Sequence, residues 1–247
     1  MKEEEKRIRL RQIGERLIDA LYPPVCPVCM KVIWERNARI CTKCREKLVV
    51  IEEPLCKRCG KPVDDDRAEY CSDCNRHEHY FDAGRGVFLY KGDIKKSIYN
   101  FKYNNKREFV KFFGDEIIEN LGRWIADISP DVLIPVPLYP KKERMRGYNQ
   151  AELIARYLGE KLNIPVEPYL IERRINTLPQ KELSADSRKK NMKKAFNIAE
   201  NIVKLNIAMV VDDIYTTGAT ADAVSRLLKE AGVREVYVLT ICAGNGF

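Results

Sequence analysis

Asp212 and Asp213 are adjacent acids that follow the apolar run Ile207–Val211 and precede the loop Thr216-Thr217-Gly218-Ala219-Thr220. A run rich in β-branched residues and free of charge suits a strand buried on both faces of a parallel sheet. Carboxylates at the carboxyl end of such a strand stand where open α/β sheets take their ligands. They accept hydrogen bonds from vicinal sugar hydroxyls, or hold those hydroxyls through a divalent ion. The loop then leads into a helical pattern over Ala221–Ala231. A helix mouth offers free N–H groups and the positive end of the helix dipole to a phosphate. Gly218 lets the backbone approach closely, and the threonine hydroxyls add donors. The combination describes a pocket for a ribose carrying a 5′-phosphate. A strand–turn–helix that merely happens to have a charged turn does not need two acids, two threonines and a glycine in that order.

Eight of the nine cysteines form Cys-x-x-Cys pairs: Cys26/Cys29, Cys41/Cys44, Cys56/Cys59 and Cys71/Cys74, with a constant period of 15 residues. Two thiolates three residues apart grip one metal through a tight knuckle, and two knuckles complete a tetrahedron. The pattern predicts two structural Zn²⁺ sites of four cysteines each, with iron–sulfur ligation as the competing reading. A redox pair explains one Cys-x-x-Cys, not four. Sequential ribbons (26/29 with 41/44, 56/59 with 71/74) and a crossed arrangement are both open. Closed sites of this kind replace a core that a segment of ~50 residues cannot build. With both tetrahedra filled, His77 and His79 read as surface residues, and Cys242 as a small buried hydrophobe.

The elements that must carry these residues follow from periodicity. Residues 1–22 include an amphipathic helix, with Ile8, Leu10, Ile13, Leu17, Ile18 and Leu21 on its apolar side and Pro23-Pro24 as its stop. Residues 23–80 form the double zinc ribbon, and 81–247 an α/β domain. In the latter, Ala83–Tyr90, Asp131–Pro137, Tyr169–Glu172 and Val233–Ile241 read as extended, whereas Asp93–Tyr103, Arg107–Leu121 and Tyr148–Leu162 read as helical. Strands alternating with helices indicate a doubly wound, mainly parallel sheet.

Two polar segments are read as loops. Pro137–Gln150 carries Lys141, Lys142, Arg144 and Arg146 beyond the strand expected beside the aspartate strand, where a pyrophosphate would sit. Asn149 is placed to cap the following helix. Arg173–Lys194 is long and basic, as a mobile lid would be, and a helix over Ala185–Lys193 is equally compatible with it.

The chain has a formal charge of +8. Residues 1–80 contribute 17 basic and 15 acidic side chains, and residues 81–247 contribute 27 and 21, so the surplus lies in the α/β part. Such a surplus suits a polyphosphate pocket or a nucleic-acid surface. Met1–Lys6 lacks the apolar core of a signal peptide, and no apolar run approaches the roughly 18 residues of a membrane span. The expectation is a soluble, cytoplasmic protein that is not embedded in a membrane.

The Val210–Thr220 stretch resembles the ribose-phosphate signature of type I phosphoribosyltransferases, which bind 5-phosphoribosyl-1-pyrophosphate (PRPP). With the four cysteine pairs, Pro135-Val-Pro-Leu, Arg146-Gly-Tyr-Asn-Gln150 and the Thr177…Asn191 series, the whole chain resembles the ComF family (ComFC-like and GntX-like proteins). That resemblance implies a type I phosphoribosyltransferase-like fold preceded by a small double zinc ribbon. It implies PRPP bound with Mg²⁺ by Asp212, Asp213, Thr216, Thr217, Gly218, Ala219, Thr220, Arg144 and Arg146, the two aspartates being catalytic if turnover occurs. It further implies work in DNA uptake during natural transformation, beside a competence-associated helicase and with single-stranded DNA. The alternative is an active phosphoribosyltransferase of nucleotide metabolism, transferring ribose-5-phosphate to a nitrogenous acceptor. Lysines and arginines beside aromatics in Tyr99–Tyr103 and Arg144–Tyr148 offer stacking and phosphate contacts to single-stranded DNA, or else those aromatics are core residues.

Overall fold

The apolar runs pair as strands in a sheet whose neighbours are all parallel. The computed structural model describes residues 23–35, 38–173, 195–198 and 205–246. The amphipathic segment within 1–22 and nearly all of the basic segment 173–194 lie outside these residues. The chain divides into two compact units, residues 1–47 and 48–247, which places the two cysteine sets in different units. In the first unit the described elements are the knuckle around Cys26 and the short helix α1 (Thr42–Arg45).

The second unit contains α2 (Ser72–Arg76), β1 (Ala83–Leu89), α3 (Ile94–Tyr103), α4 (Phe109–Ile128), β2 (Val132–Pro135), α5 (Pro140–Arg146) and α6 (Gln150–Leu162). There follow β3 (Ile171–Arg173), β4 (Phe196–Ile198), β5 (Ile207–Tyr215), α7 (Ala219–Glu230) and β6 (Glu235–Ala243). Four strands form the sheet in the order β1-β6-β5-β2. A single parallel bridge from Leu133 to Val166 extends it beyond β2, and β3 and β4 make a separate antiparallel ribbon.

Alternate residues of the central strands serve opposite faces, as the two-residue period demands. Ala208, Val210, Val236 and Val238 join Val224 and Leu228 of α7 in one apolar cluster. On the other face Tyr237 meets Trp124 of α4 edge-on at 6.1 Å, and α6 packs against β2, β5 and α4. Gly114 makes the α4–α6 approach possible, because any side chain there would overlap the ring of Tyr157.

Topology then locates a crevice. From β2 the chain travels outward to Val166 through α6 on one face, whereas from β5 it travels the opposite way to β6 through α7 on the other face. The winding direction reverses between β2 and β5, and open sheets bind ligands beyond the strand ends at such a point. The segments leaving those two strands, 136–149 and 216–218, are the ones that carry the chemistry read from the sequence.

One of them departs from expectation. The basic segment read as a loop contains the helix α5. Pro140 stands at the helix start, where its missing N–H costs nothing, and Gly147 closes the end at φ +77°. Helix α4 also runs on to Ile128, past Gly122, and stops at Ser129 in the left-handed conformation. Among the described residues, no helix is long and apolar enough to cross a membrane.

Candidate functional site

Both acids belong to β5 itself, three and two residues before its end at Tyr215. The pair is asymmetric. Asp213 receives Lys102 of α3, whose Nζ lies 2.9 Å from Oδ1 and 2.8 Å from Oδ2, with the two side chains 17% and 15% exposed. Burial works against the Lys102 ammonium, but the Asp213 carboxylate, with Asp212 behind it, holds its pKa above the usual value. Asp212 is pushed up to about 7, first by burial and then by the charge of Asp213, although the Asp213 N–H donates to its Oδ1 at 2.8 Å. One carboxylate is therefore committed to a cation, and the other stands poised to give up its proton.

The cation side is assembled from three separate elements. Burial lowers Lys142 of α5, with Arg173 and Arg146 adding to the effect. Burial also lowers Arg173 of β3; Asp212 opposes that shift and Arg146 reinforces it. Arg146 is fixed by Nη1–H donating to Gln150 Oε1 at 2.9 Å and Nη2–H donating to Tyr103 Oη at 3.0 Å. Arg146 thus acts on each of Lys102, Lys142 and Arg173, and Arg173 on Lys142.

Of the two arginines named from sequence, Arg146 joins this cluster and Arg144 does not. Lys142 and Arg146 are four residues apart and share a face of α5; Arg144, midway, lies on the opposite side and is exposed. Lys102 and Arg173 were missed as candidates. Arg173 was visible only as the start of a basic segment, and a single lysine between aromatics in a helix carries no signal that it will reach an aspartate 111 residues away.

At the end of β5, Thr216 and Thr217 lead to Gly218, which caps α7 at φ +76° and ψ −4°. That conformation suits glycine, and a Cβ there would lie 2.5 Å from Tyr215 Oη. Ala219 and Thr220 form the first turn of α7, so their N–H groups have no partner within the helix. Asp212, Thr216, Thr217, Gly218, Ala219 and Thr220 line one cavity, an arrangement suited chemically to an anion beside a hydroxyl-bearing group. Asn149 caps α6, accepting from the Ala151 N–H at 3.1 Å, and donates through Nδ2 to the Val136 carbonyl at 3.0 Å. It thereby ties the segment after β2 to that strand.

The cysteines resolve into the sequential pairing: Cys26, Cys29, Cys41 and Cys44 in one group, Cys56, Cys59, Cys71 and Cys74 in the other, with all sulfurs of a group within 4.8 Å. Zn–S bonds of about 2.3 Å in a tetrahedron put sulfurs about 3.8 Å apart. Cys29 and Cys41 are 3.8 Å apart, and Cys59 and Cys71 are 3.6 Å apart. Both groups fit structural zinc. The second is embedded in the α/β unit, since Cys56, Cys59 and Cys71 share the apolar cluster of Val210 and Val238. Cys242 is fully buried, as a small hydrophobe would be.

The reading of His79 as a surface residue is overturned. Its side chain is 2% exposed and its Nδ1 lies 2.8 Å from Asp222 Oδ2, because it stacks on Phe81 at 4.9 Å beneath the start of α7. His77 is exposed. Of the aromatics proposed for stacking, Tyr99 and Tyr103 are exposed, at 57% and 53%, whereas Phe101 and Tyr148 are core.

Comparison with known proteins matches two domain families to the chain. Residues 17–75 match the double zinc ribbon domain and residues 113–246 the phosphoribosyl transferase domain. Competence protein F of Haemophilus influenzae is 31% identical over 209 residues, covering 81% of this chain and 88% of that protein. Competence protein ComFC of Bacillus subtilis is 28% identical over 210 residues, covering 79% of this chain and 80% of that protein. DNA utilization protein YhgH of Salmonella typhi is 26% identical over 223 residues, covering 89% and 97%. The chain belongs to the ComF family, in which a double zinc ribbon precedes a phosphoribosyl transferase domain.

Proposed function

We propose that this protein binds PRPP with Mg²⁺ in the crevice between β2 and β5, and that it acts in the handling of incoming DNA. One observation carries the ligand assignment. Asp212 lines the cavity of the glycine-capped helix mouth, Lys102 pairs with Asp213 beside it, and Arg173, which feels Asp212, is coupled to Arg146 and Lys142. A sugar diol needs acceptors, a 5′-phosphate needs free N–H groups, and a pyrophosphate needs concentrated positive charge. PRPP presents all three on one small molecule. In this reading Asp212 and Asp213 take the ribose hydroxyls, directly or through Mg²⁺. Thr216–Thr220 hold the 5′-phosphate, and the cations hold the pyrophosphate. If transfer occurs, the same cations neutralise the departing pyrophosphate.

Calorimetric titration of the full chain with PRPP and Mg²⁺ tests the assignment. Saturable heat in the wild type that disappears in Asp213→Ala supports it, and no heat in folded wild type removes it. Pyrophosphate release in the presence of nucleobases separates a turning-over transferase of nucleotide metabolism from a protein that only holds PRPP.

The role in DNA handling is supported by what the relatives are named for and by one surface. Exposed Tyr99 and Tyr103 lie 4.9 Å apart, centroid to centroid, and the Arg146 guanidinium stands 4.8 Å above the Tyr103 ring. Base stacking on aromatics, with cations along the strand, is how single strands are held without sequence preference. Fluorescence anisotropy with an oligothymidine should show binding that falls steeply with salt and weakens about tenfold or more in Tyr99→Ala/Tyr103→Ala, at ~1–3 kcal/mol per stacked base. Equal binding by that variant would remove this surface from the account.

A further inference from the structure

His79 belongs to neither cysteine set and does not line the crevice, yet it sits directly behind the phosphate loop. Its Nδ1–H donates to Asp222, in the first turns of α7, and the Tyr80 N–H donates to the other oxygen of that carboxylate at 3.2 Å. Nε2 is buried with no hydrogen-bond partner among the described residues. On its inner side the imidazole abuts Gly218: a Cβ on that glycine would lie 3.2 Å from His79 Cε1. The loop backbone therefore rests on His79 and on the hydroxyl of Tyr215.

Both supports lead back to the second cysteine set. Tyr215 meets Phe81 edge-on at 5.9 Å. Lys61, only 3% exposed, places Nζ 5.5 Å from the centroid of the Tyr215 ring and donates to Asp73 at 2.8 Å. Lys61 lies two residues beyond Cys59, and Asp73 lies between Cys71 and Cys74. Phe81, beneath His79, shares one apolar cluster with Cys56, Cys59 and Cys71. Contacting side chains thus run from the second cysteine set to the phosphate loop.

We infer that the second zinc site and the phosphate loop form one coupled element, with His79 as the positioning residue that joins them. The inference rests on the PRPP reading of that loop. Zinc would hold the knuckle that seats Lys61, Asp73 and Phe81; these seat His79 and Tyr215, and those two hold the loop with its N–H groups turned toward the anion. Coupling between sites is reciprocal. Occupancy of the loop must therefore tighten the second cysteine set, which shares its compact unit; the first set belongs to the other unit.

The test uses the full-length, zinc-loaded chain. PRPP with Mg²⁺ is titrated calorimetrically into wild type, His79→Ala and His79→Asn, and bound zinc is counted by native mass spectrometry. Asparagine keeps a donor near the Nδ1 position. The expected result is affinity about tenfold or more weaker in His79→Ala at unchanged zinc content, with most of the loss recovered in His79→Asn. In parallel, timed alkylation of wild type is read by peptide mass spectrometry. PRPP should slow labelling of Cys56, Cys59, Cys71 and Cys74 several-fold while labelling of Cys26, Cys29, Cys41 and Cys44 is unchanged. Wild type that binds PRPP while His79→Ala binds equally well overturns the inference. So does protection that is absent or equal in the two sets, a result that stands even if His79→Ala does not fold. Wild type that binds no PRPP overturns the functional reading, and this inference with it.

Discussion

Replacing Asp213 by asparagine removes the counter-charge of Lys102 and leaves the shape of the site almost unchanged. At 2.8 Å the attraction is about 6 kcal/mol for an effective dielectric constant of ~20. Most of that is offset by the desolvation of two largely buried charges. Breaking one partner of such a pair costs ~3–5 kcal/mol because the other charge stays behind, unpaired. Asp212 remains as a weaker partner for Lys102, which puts the cost of Asp213→Asn at the low end, about 3 kcal/mol. For a unit of this size that lowers the melting temperature by about 6–12 °C. Lys102→Met should recover stability when combined with Asp213→Asn, since the double variant has no orphaned charge. The assay is a double-mutant cycle of thermal or urea unfolding, with PRPP titration of the same four proteins. Stability recovers in the double variant and PRPP binding does not, because the acid that the sugar needs is still missing. A double variant no more stable than Asp213→Asn would refute the pairing energetics. A double variant that binds PRPP normally would refute the role given to Asp213.

Three further outcomes are expected. Gly218→Ala forces a side chain into the left-handed conformation, at ~1–2 kcal/mol, and against Tyr215 Oη; PRPP affinity falls at least tenfold by calorimetry while the far-ultraviolet circular dichroism is retained. Asp212 keeps its proton up to about pH 7, and a diol acceptor works best ionised. PRPP affinity therefore rises with pH through about 7 and levels off above it. In Asp212→Asn that component vanishes and only the titration of the ligand's own phosphates remains, as calorimetry at several pH values will show. Cys59, 2% exposed, is a core residue of the α/β unit, so Cys59→Ser lowers the melting temperature of the sheet itself; Cys29, which is exposed, lies in the other unit, and Cys29→Ser acts on its own ribbon. Differential scanning calorimetry with zinc counting distinguishes the two.

What could be read from the chain beforehand was whatever is written locally. Strand β5 announces itself by β-branched content, Gly218 by the conformation it must adopt, and the cysteine sites by spacing alone. Which knuckle pairs with which was open, because loops of 11 residues permit either arrangement, and packing settles it. Helix α5 was legible and was missed: Pro140 and Gly147 are the start and stop signals of a one-to-two-turn helix, but the density of charge between them reads as a loop. His79 was not legible. In Arg-His-Glu-His-Tyr nothing marks one histidine for burial, and what buries it is a helix turn 143 residues onward. Lys102 is the same case.

That long-range assembly explains why the acids alone do not define the site. A paired-aspartate strand end is by itself a cation site, and it would repel a polyphosphate. Here Lys102 offsets the charge of Asp213, and burial raises Asp212 to about 7, so Asp213 does not face the ligand as a lone carboxylate. Lys142 and Arg173 are both pushed down from their usual values by burial and by their cationic neighbours, with Asp212 opposing the shift of Arg173. Free protein bears that repulsion as a cost, and a polyanion entering the crevice relieves it. If the proposed PRPP reading holds, part of the binding energy for its pyrophosphate would be stored in advance, in cations supplied by α3, α5 and β3. On the proposed reading, a sequence motif would supply the sugar's acceptors and the phosphate's amides, whereas the third requirement, concentrated positive charge, exists only once the sheet has folded.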